Sequence, residues 1–442
     1  MKRYYLRVRA LSPLSITGHQ NIAGQAGASL SYIPGTTLRG ALAWQVLTGQ
    51  PAATREATFQ QLFGPDGLRC GPLYPLSRAT DPGADVTLPL PLTARTCKRQ
   101  GGFRTDPDPL QARDHHGALD VLIDALEEVA RRQLAADPAG ASEAAKLAGL
   151  ERHERCAQPD CTAAMDRFSG YYQFGIARGG RWFRQVQPLK RLATRTAILE
   201  ELGSARPGAL FSREVLAPDQ QFAGFVEVPE ALAAEFEKLL PVGGELQVGA
   251  GRTAGLGRLE VADRRPDWGA LTRLVGKPDQ RQQAFSACLP QSLRTRWALT
   301  PITLLSDAIL LDPWLRYASA PEPDVLRHYA ELAALAGATP PPPPPDLSLF
   351  LGVSRGVRCA AWHVGSPEPG AGAMLHRGGR PRTQDQGIAA GSTFVLAAPV
   401  DQGPQLLQFA AWLEEYGLGE RREEGYGQLL VAHPFHTEVT PQ

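Results

Sequence analysis

The residues best suited to chemistry in this chain are its polar cysteines. Cys97, beside Lys98, and the pair in Cys156-Ala157-Gln158-Pro159-Asp160-Cys161 lie in loop-like sequence. A proline-containing turn brings the Cys156 and Cys161 thiolates close, within the spacings of zinc sites, and Cys97 supplies a third ligand. A closed structural site needs a fourth; His116, His153, His115 and Cys70 are all open to the role. No ligand set carries a partnered general base, so the zinc expected is structural, holding a loop-rich segment that cannot build its own core. Cys288 and Cys359 sit among apolar or small residues and are expected to be core thiols.

A second pattern suits anions. In Pro34-Gly35-Thr36-Thr37-Leu38-Arg39 a Pro-Gly turn enters a helix, with Thr36 expected as its cap. A helix start offers unpaired N–H groups and partial positive charge. Thr36 and Thr37 add hydroxyls and Arg39 a planar fork. An ordinary capped helix is the plainer explanation.

Two glycine-rich loops form the third pattern. One is Val248-Gly249-Ala250-Gly251-Arg252-Thr253-Ala254-Gly255-Leu256-Gly257-Arg258; the other is Gly417-Leu418-Gly419-Glu420-Arg421-Arg422-Glu423-Glu424-Gly425-Tyr426-Gly427. Glycine permits positive φ and close backbone approach, and successive N–H groups can cradle an anion. Arg252 and Arg258 make the first loop a candidate phosphate site. In the second, Glu420, Glu423 and Glu424 outweigh Arg421 and Arg422, so packing against the other domain or a partner is expected. The first is no dinucleotide fingerprint, because Gly249, Gly251 and Gly255 lack the strand-to-helix spacing and a strand rather than a helix follows.

The elements that must position these groups recur. The first half opens with an alternating strand, Tyr4 to Leu11, followed by Ser12-Pro13. The second opens with Arg296 to Asp307, carrying Thr300-Pro301. Each half closes on a glycine loop feeding a short apolar strand, which suggests a duplicated α+β unit. Helices are expected from Thr36 through Leu47, and over Gly117–Leu134, Glu230–Leu240 and Gln405–Tyr416. Strands are expected over Gln221–Val228 and Ser392–Ala397. The boundaries read as 1–265 with an insertion at about 70–168, a connector at 266–290, and 291–442 with a polyproline spacer at 340–345.

Bulk properties narrow the class. With 442 residues, 43% apolar and 21% charged, the chain reads as a soluble globular protein of two or three domains. No apolar run approaches the roughly 20 residues that span a bilayer, and the alternating N-terminus lacks a signal peptide's apolar centre. The cytoplasm is the expected location. A net charge of +1 is low for a free-standing nucleic-acid binder, although most of the positive charge is arginine.

The ordered set of motifs resembles the RAMP superfamily of CRISPR-associated proteins. The opening strand with Ser12-Pro13-Leu14-Ser15, the helix start Pro34-Gly35-Thr36-Thr37-Leu38-Arg39-Gly40 and both glycine loops carry the likeness. Pro89 to Lys98, His116-Gly117-Ala118-Leu119-Asp120 and Cys156 to Cys161 narrow it to the large two-domain RAMP subunit of type III-D effectors. The resemblance implies two ferredoxin-like (RRM-like) domains and His116 as the fourth ligand beside Cys97, Cys156 and Cys161. It also implies a non-catalytic role, capping the repeat-derived 5′ handle of the guide RNA and contacting the large polymerase-like subunit and the first backbone subunit. No membrane or small-molecule substrate is implied. Gly35, Thr36, Thr37, Arg39, Gly249, Gly251, Arg252, Thr253, Gly255 and Arg258 are the expected RNA contacts. Related RAMP proteins instead cleave the guide precursor with a histidine, and His19 is where one would lie. Tyr4, Tyr5 and Tyr32, the nearest candidates for base stacking, are expected to pack instead.

Overall fold

In a computed structural model the chain is described except for residues 17–27, 50, 65–66, 78–85, 137–154, 178–179, 200–203, 268, 337–340, 360–361, 364–379, 382–384 and 440–442. His19, His153 and Pro340 lie outside the described residues. Helices and antiparallel sheets are mixed along the chain, an α+β arrangement.

The N-terminal sheet is built on strand Lys2–Ala10, flanked by Gln221–Val228 on one side and Arg258–Pro266 on the other. Glu245–Gln247 extends one edge; Arg69–Cys70 and Tyr74–Pro75 share the other. Alternation explains its two faces. Tyr4, Leu6 and Val8 point into a core closed by helices Gly35–Gly49 and Ala233–Leu239, through Leu38, Leu42, Val46 and Phe236. Tyr5 points the other way, packing on Phe225. Both tyrosines are buried in packing.

The C-terminal sheet repeats this order. Strand Trp297–Leu304 lies between Thr393–Pro399 and Leu429–Val431, with Ser348–Val353 at the far edge. Helix Pro323–Leu335 precedes the edge strand and helix Gly403–Tyr416 precedes the last. In both halves, then, the first strand is central, the third and last strands flank it, and the second lies outside the third. Pro341–Pro345 connect helix Pro323–Leu335 to the edge strand without regular structure.

Between the second and third strands of the N-terminal sheet the chain builds two three-stranded sheets. One comprises Thr87–Pro89, Tyr171–Ala177 and Gly180–Val186; the other Ala94–Cys97, Ala118–Asp120 and Met165–Arg167. The helix expected over Gly117–Leu134 divides: Ala118–Asp120 is a strand, and Asp120 Oδ1 accepts from Leu122 N (2.8 Å) to start helix Leu122–Ala136. Its Leu122, Leu126, Ala130 and Leu134 enter the C-terminal core.

The stretch 266–290, expected as a connector, is largely helical, with Ala270–Val275 and Pro278–Cys288. Arg281, Phe285 and Leu289 form a buried stripe at four-residue steps, and Arg281 Nε donates to Val431 O (2.7 Å). Cys288 falls beside that stripe and is exposed, contrary to the expectation of a core thiol; Cys359 is buried.

Candidate nucleic-acid cleft and metal centre

The glycine loops share four positive-φ positions and the bonds that close and pin them. Positive φ falls at Gly249, Gly251, Gly255 and Gly257 in the first, and at Gly419, Arg421, Gly425 and Gly427 in the second. Val248 N donates to Gly257 O and Leu418 N to Gly427 O; Ala250 N donates to Ser15 O and Glu420 N to Ile309 O. Each loop is thereby pinned to the segment after its own half's first strand. Arg421 occupies, at φ 55°, the left-handed position that Gly251 fills in the first loop.

Both loops face one cleft of about 440 Å³ between the halves. Gly249 and Arg252 line it from the first loop, Glu424, Gly425 and Tyr426 from the second, and Gly35, Thr36 and Thr37 from the helix start. Arg252 lies over the Trp44 ring at 5.4 Å. Tyr32, expected to pack, packs on the Tyr74 ring at 5.5 Å and also lines the cleft; the sequence did not point to Asp307 and Arg358, which line it too. Asp307 Oδ2 accepts from the Tyr32 hydroxyl (3.3 Å) and Oδ1 from Ala390 N (2.8 Å). The position of Asp307, just after the second half's first strand, was a usable signal; Arg358 had none.

Several of the expected RNA contacts have partners within the protein or lie off the cleft lining. Thr36 is not the cap: Pro34 is, its carbonyl accepting from Thr37 N (3.0 Å) and Leu38 N (3.1 Å), so Thr36 falls in the first turn. Arg39 turns away from the cleft, Nη2 donating to Phe63 O (2.7 Å) with the guanidinium 5.2 Å from the Phe63 ring. Gly35 is glycine for packing, because a Cβ would lie 1.9 Å from Cys70 O and 2.4 Å from Glu424 O. Arg258 forms an exposed fork on Glu245 (2.9 Å). Thr253, Gly251 and Gly255 sit on the loop without lining the cleft. In the second loop Arg421 pairs with Asp385 (2.7 Å) and Glu424, while Arg422 stacks on Tyr416 at 3.7 Å. Arg421 is thus held inside the protein by its carboxylates, and Arg422 is half-buried against Tyr416. Among the described residues no histidine lines the cleft.

The cysteine cluster lies in the inserted sheets. The Ala94–Cys97 strand ends at Cys97, and the chain returns through His116 N donating to Gln100 O (2.9 Å). Thr96 Oγ1 binds this return, accepting from Gly102 N (2.9 Å) and donating to Gly117 O (3.1 Å). The Cys156–Cys161 turn closes by Cys161 N donating to Gln158 O (3.0 Å) and is docked by Lys98 N donating to Ala164 O (3.1 Å). Ligand atoms of Cys97, His116, Cys156 and Cys161 thus lie within 4.8 Å of one another, a group that could hold a metal ion. Cys97 and Cys161 sulfurs are 3.7 Å apart, and Cys156 Sγ is 3.4 Å from His116 Nδ1. Tetrahedral zinc with Zn–S of about 2.3 Å needs ligand separations of about 3.5–3.8 Å, which these two separations approach.

The protonation chemistry also fits a cation. Burial raises the Cys97 thiol, but backbone N–H groups of Gln100 and Arg99 and the neighbouring thiols bring it down to about 7. Burial leads in pushing Cys156 up to about 11, with Cys97 and Cys161 adding to the rise. Thiolates this close do not ionise together without a positive charge between them. Of the rival ligands, His115 Nδ1 engages Phe103 O (3.1 Å) and Cys70 lies in the N-terminal core.

No protein-family model matches this chain, and no curated protein does. It is similar to a chain of the type III-B Cmr-beta complex in its apo state (13% identity, TM-score 0.29, 61% of this chain and 98% of that one). A chain of Cmr-beta bound to cognate target RNA and AMPPnP gives 11% identity and TM-score 0.30 over 89% of this chain and 86% of that one. Cmr4 from Pyrococcus furiosus gives 15% identity and TM-score 0.24 over 60% and 98%.

Proposed function

We propose that this chain is a non-catalytic RNA-binding subunit of a type III-D CRISPR effector, holding the 5′ handle of the guide RNA in the cleft between two ferredoxin-like domains. On this reading the domains are 1–265 and 291–442, and the contact surface to the large subunit and first backbone subunit surrounds the cleft. The observation that carries the reading is the convergence of the helix start and both glycine loops on one cleft, from separate halves of like strand order. The cleft's walls suit a ribose-phosphate chain: Arg252 and Arg358 for phosphate, Thr36 and Thr37 hydroxyls, and Tyr32 and Tyr426 beside them. Asp307 and Glu424 limit the positive potential, which accords with the net charge of +1. Isolated binding is therefore weak and salt-sensitive, and neighbouring subunits complete the channel. The metal held by Cys97, His116, Cys156 and Cys161 is zinc, bound as a structural ion.

The test is to purify the full chain through a tag from cells carrying a type III-D array and to sequence the bound RNA. Small RNAs of uniform 5′ sequence are expected, lost when Arg252 and Arg358 are both replaced by Glu. RNAs of random 5′ ends, or an unchanged RNA yield in the double variant, would overturn the reading.

A further inference from the structure

Residues 310–318 form a small hairpin whose tip is Asp312-Pro313-Trp314-Leu315-Arg316. Its side chains contradict what folding alone requires. Trp314 is 70% exposed and Leu315 72% exposed, while the turn beneath them is over-determined. Asp312 Oδ1 accepts from Trp314 N and Arg316 N (both 2.9 Å), and Asp312 Oδ2 accepts from Arg316 Nε (2.7 Å). Leu315 N donates to Asp312 O (2.8 Å), and Leu315 is held at φ 61°, a left-handed conformation unfavourable for its side chain. A strained, rigid turn that displays two large apolar groups to water is a local conflict best explained by use.

The base of the hairpin is fastened to the cleft. Glu420 N donates to Ile309 O (2.9 Å). Tyr317 donates to Asp385 (2.8 Å), which holds Arg421 of the second glycine loop. The tip therefore moves with the cleft wall.

We propose that Trp314 and Leu315 are a preformed anchor that inserts into an apolar pocket of a neighbouring protein subunit. Charge selects protein over RNA. The tip's one cation, Arg316, is neutralised by Asp312 and lies 5.1 Å from the Trp314 ring centroid, so no charge is left over for a phosphate. Leu315, moreover, has no face on which a base can stack. This inference rests on the reading of the chain as a subunit of a larger assembly.

The experiment places a photo-crosslinking amino acid at position 314 of the full chain, purifies the assembly through a tag on that chain, and maps the crosslinks by mass spectrometry. Two variants, Trp314→Ala and Leu315→Gly, accompany it. Crosslinks to a stoichiometric polypeptide of the purified assembly are expected. Each variant should weaken binding of that same polypeptide at least tenfold, with the melting temperature of the isolated chain unchanged for Trp314→Ala and unchanged or raised for Leu315→Gly. Crosslinks to RNA or to a second copy of this chain, or an assembly that forms equally well with both variants, overturn the anchor while leaving the subunit reading intact. A chain that purifies with neither RNA nor other polypeptides overturns both.

Discussion

At the scale of single residues, arginines separate by what they already hold. Arg252 reaches the cleft with its guanidinium over the Trp44 ring, whereas Arg39 is tied to Phe63 on the far side of its helix. Arg252→Glu should lower handle-RNA affinity about tenfold and reduce its salt dependence. Arg39→Glu should instead cost about 1–2 kcal/mol of stability, read by denaturant titration, with RNA affinity per folded molecule preserved. Glu127 offers a pH signature. Burial, then the nearby Asp124, raises its carboxyl to about 7, above the ordinary value of 4.5. A raised folded-state pKa means the folded form binds the proton more tightly. The associated stability is present below about pH 4.5 and lost as pH rises through about 7. Glu127→Gln should therefore match the parent in acid and exceed it above pH 7. Glu127 is 8% exposed, and a gain of about 1–2 kcal/mol is expected in melts at pH 8.

At the scale of elements, much was legible in the sequence where periodicity and turn chemistry agreed. Strand Gln221–Val228 and helix Gly403–Tyr416 follow their apolar spacing, and the paired glycine loops read correctly as equivalent turns. The structure added what the sequence could not show where a local pattern had two meanings. Threonine after Pro-Gly resembled a cap, but the proline carbonyl had already taken that position. Arg39 and Arg258 sat beside anion-type motifs, yet helix phase and a strand edge sent them to Phe63 and Glu245. Arg358 and Tyr426 reach the cleft only through tertiary folding, which spacing does not encode. Gly35→Ala tests the packing reading of the helix start: with Cys70 O and Glu424 O in the way, it should destabilise the chain by about 3 kcal/mol in denaturant titrations. The cysteine cluster makes its own prediction. Elemental analysis should find one zinc per chain, and Cys161→Ser or a chelator should remove it and lower the first melting transition, without unfolding the core around Tyr4 and Leu42.

At the scale of the whole molecule, the two halves are joined at more than their cleft. Asp120 hydrogen-bonds His436, whose Nε2 lies 2.9 Å from Thr303 Oγ1. Leu92 N donates to Gly391 O (2.7 Å), and Phe103 and Tyr172 pack against Phe435. The inserted sheets thus clamp onto the C-terminal half, so the cleft has walls from both halves that are fixed relative to one another.

That helix Leu122–Ala136 is buried in the other half's core has a consequence for biogenesis. It emerges from the ribosome roughly 210 residues before Ser348–Val353, the strand it packs on, a wait of about 10–40 s at ordinary elongation rates. Throughout that interval Leu122, Leu126, Ala130 and Leu134 form an uncovered greasy stripe on a nascent chain. A fragment ending at residue 265 should bind chaperones or precipitate, and supplying 266–442 in trans should rescue it.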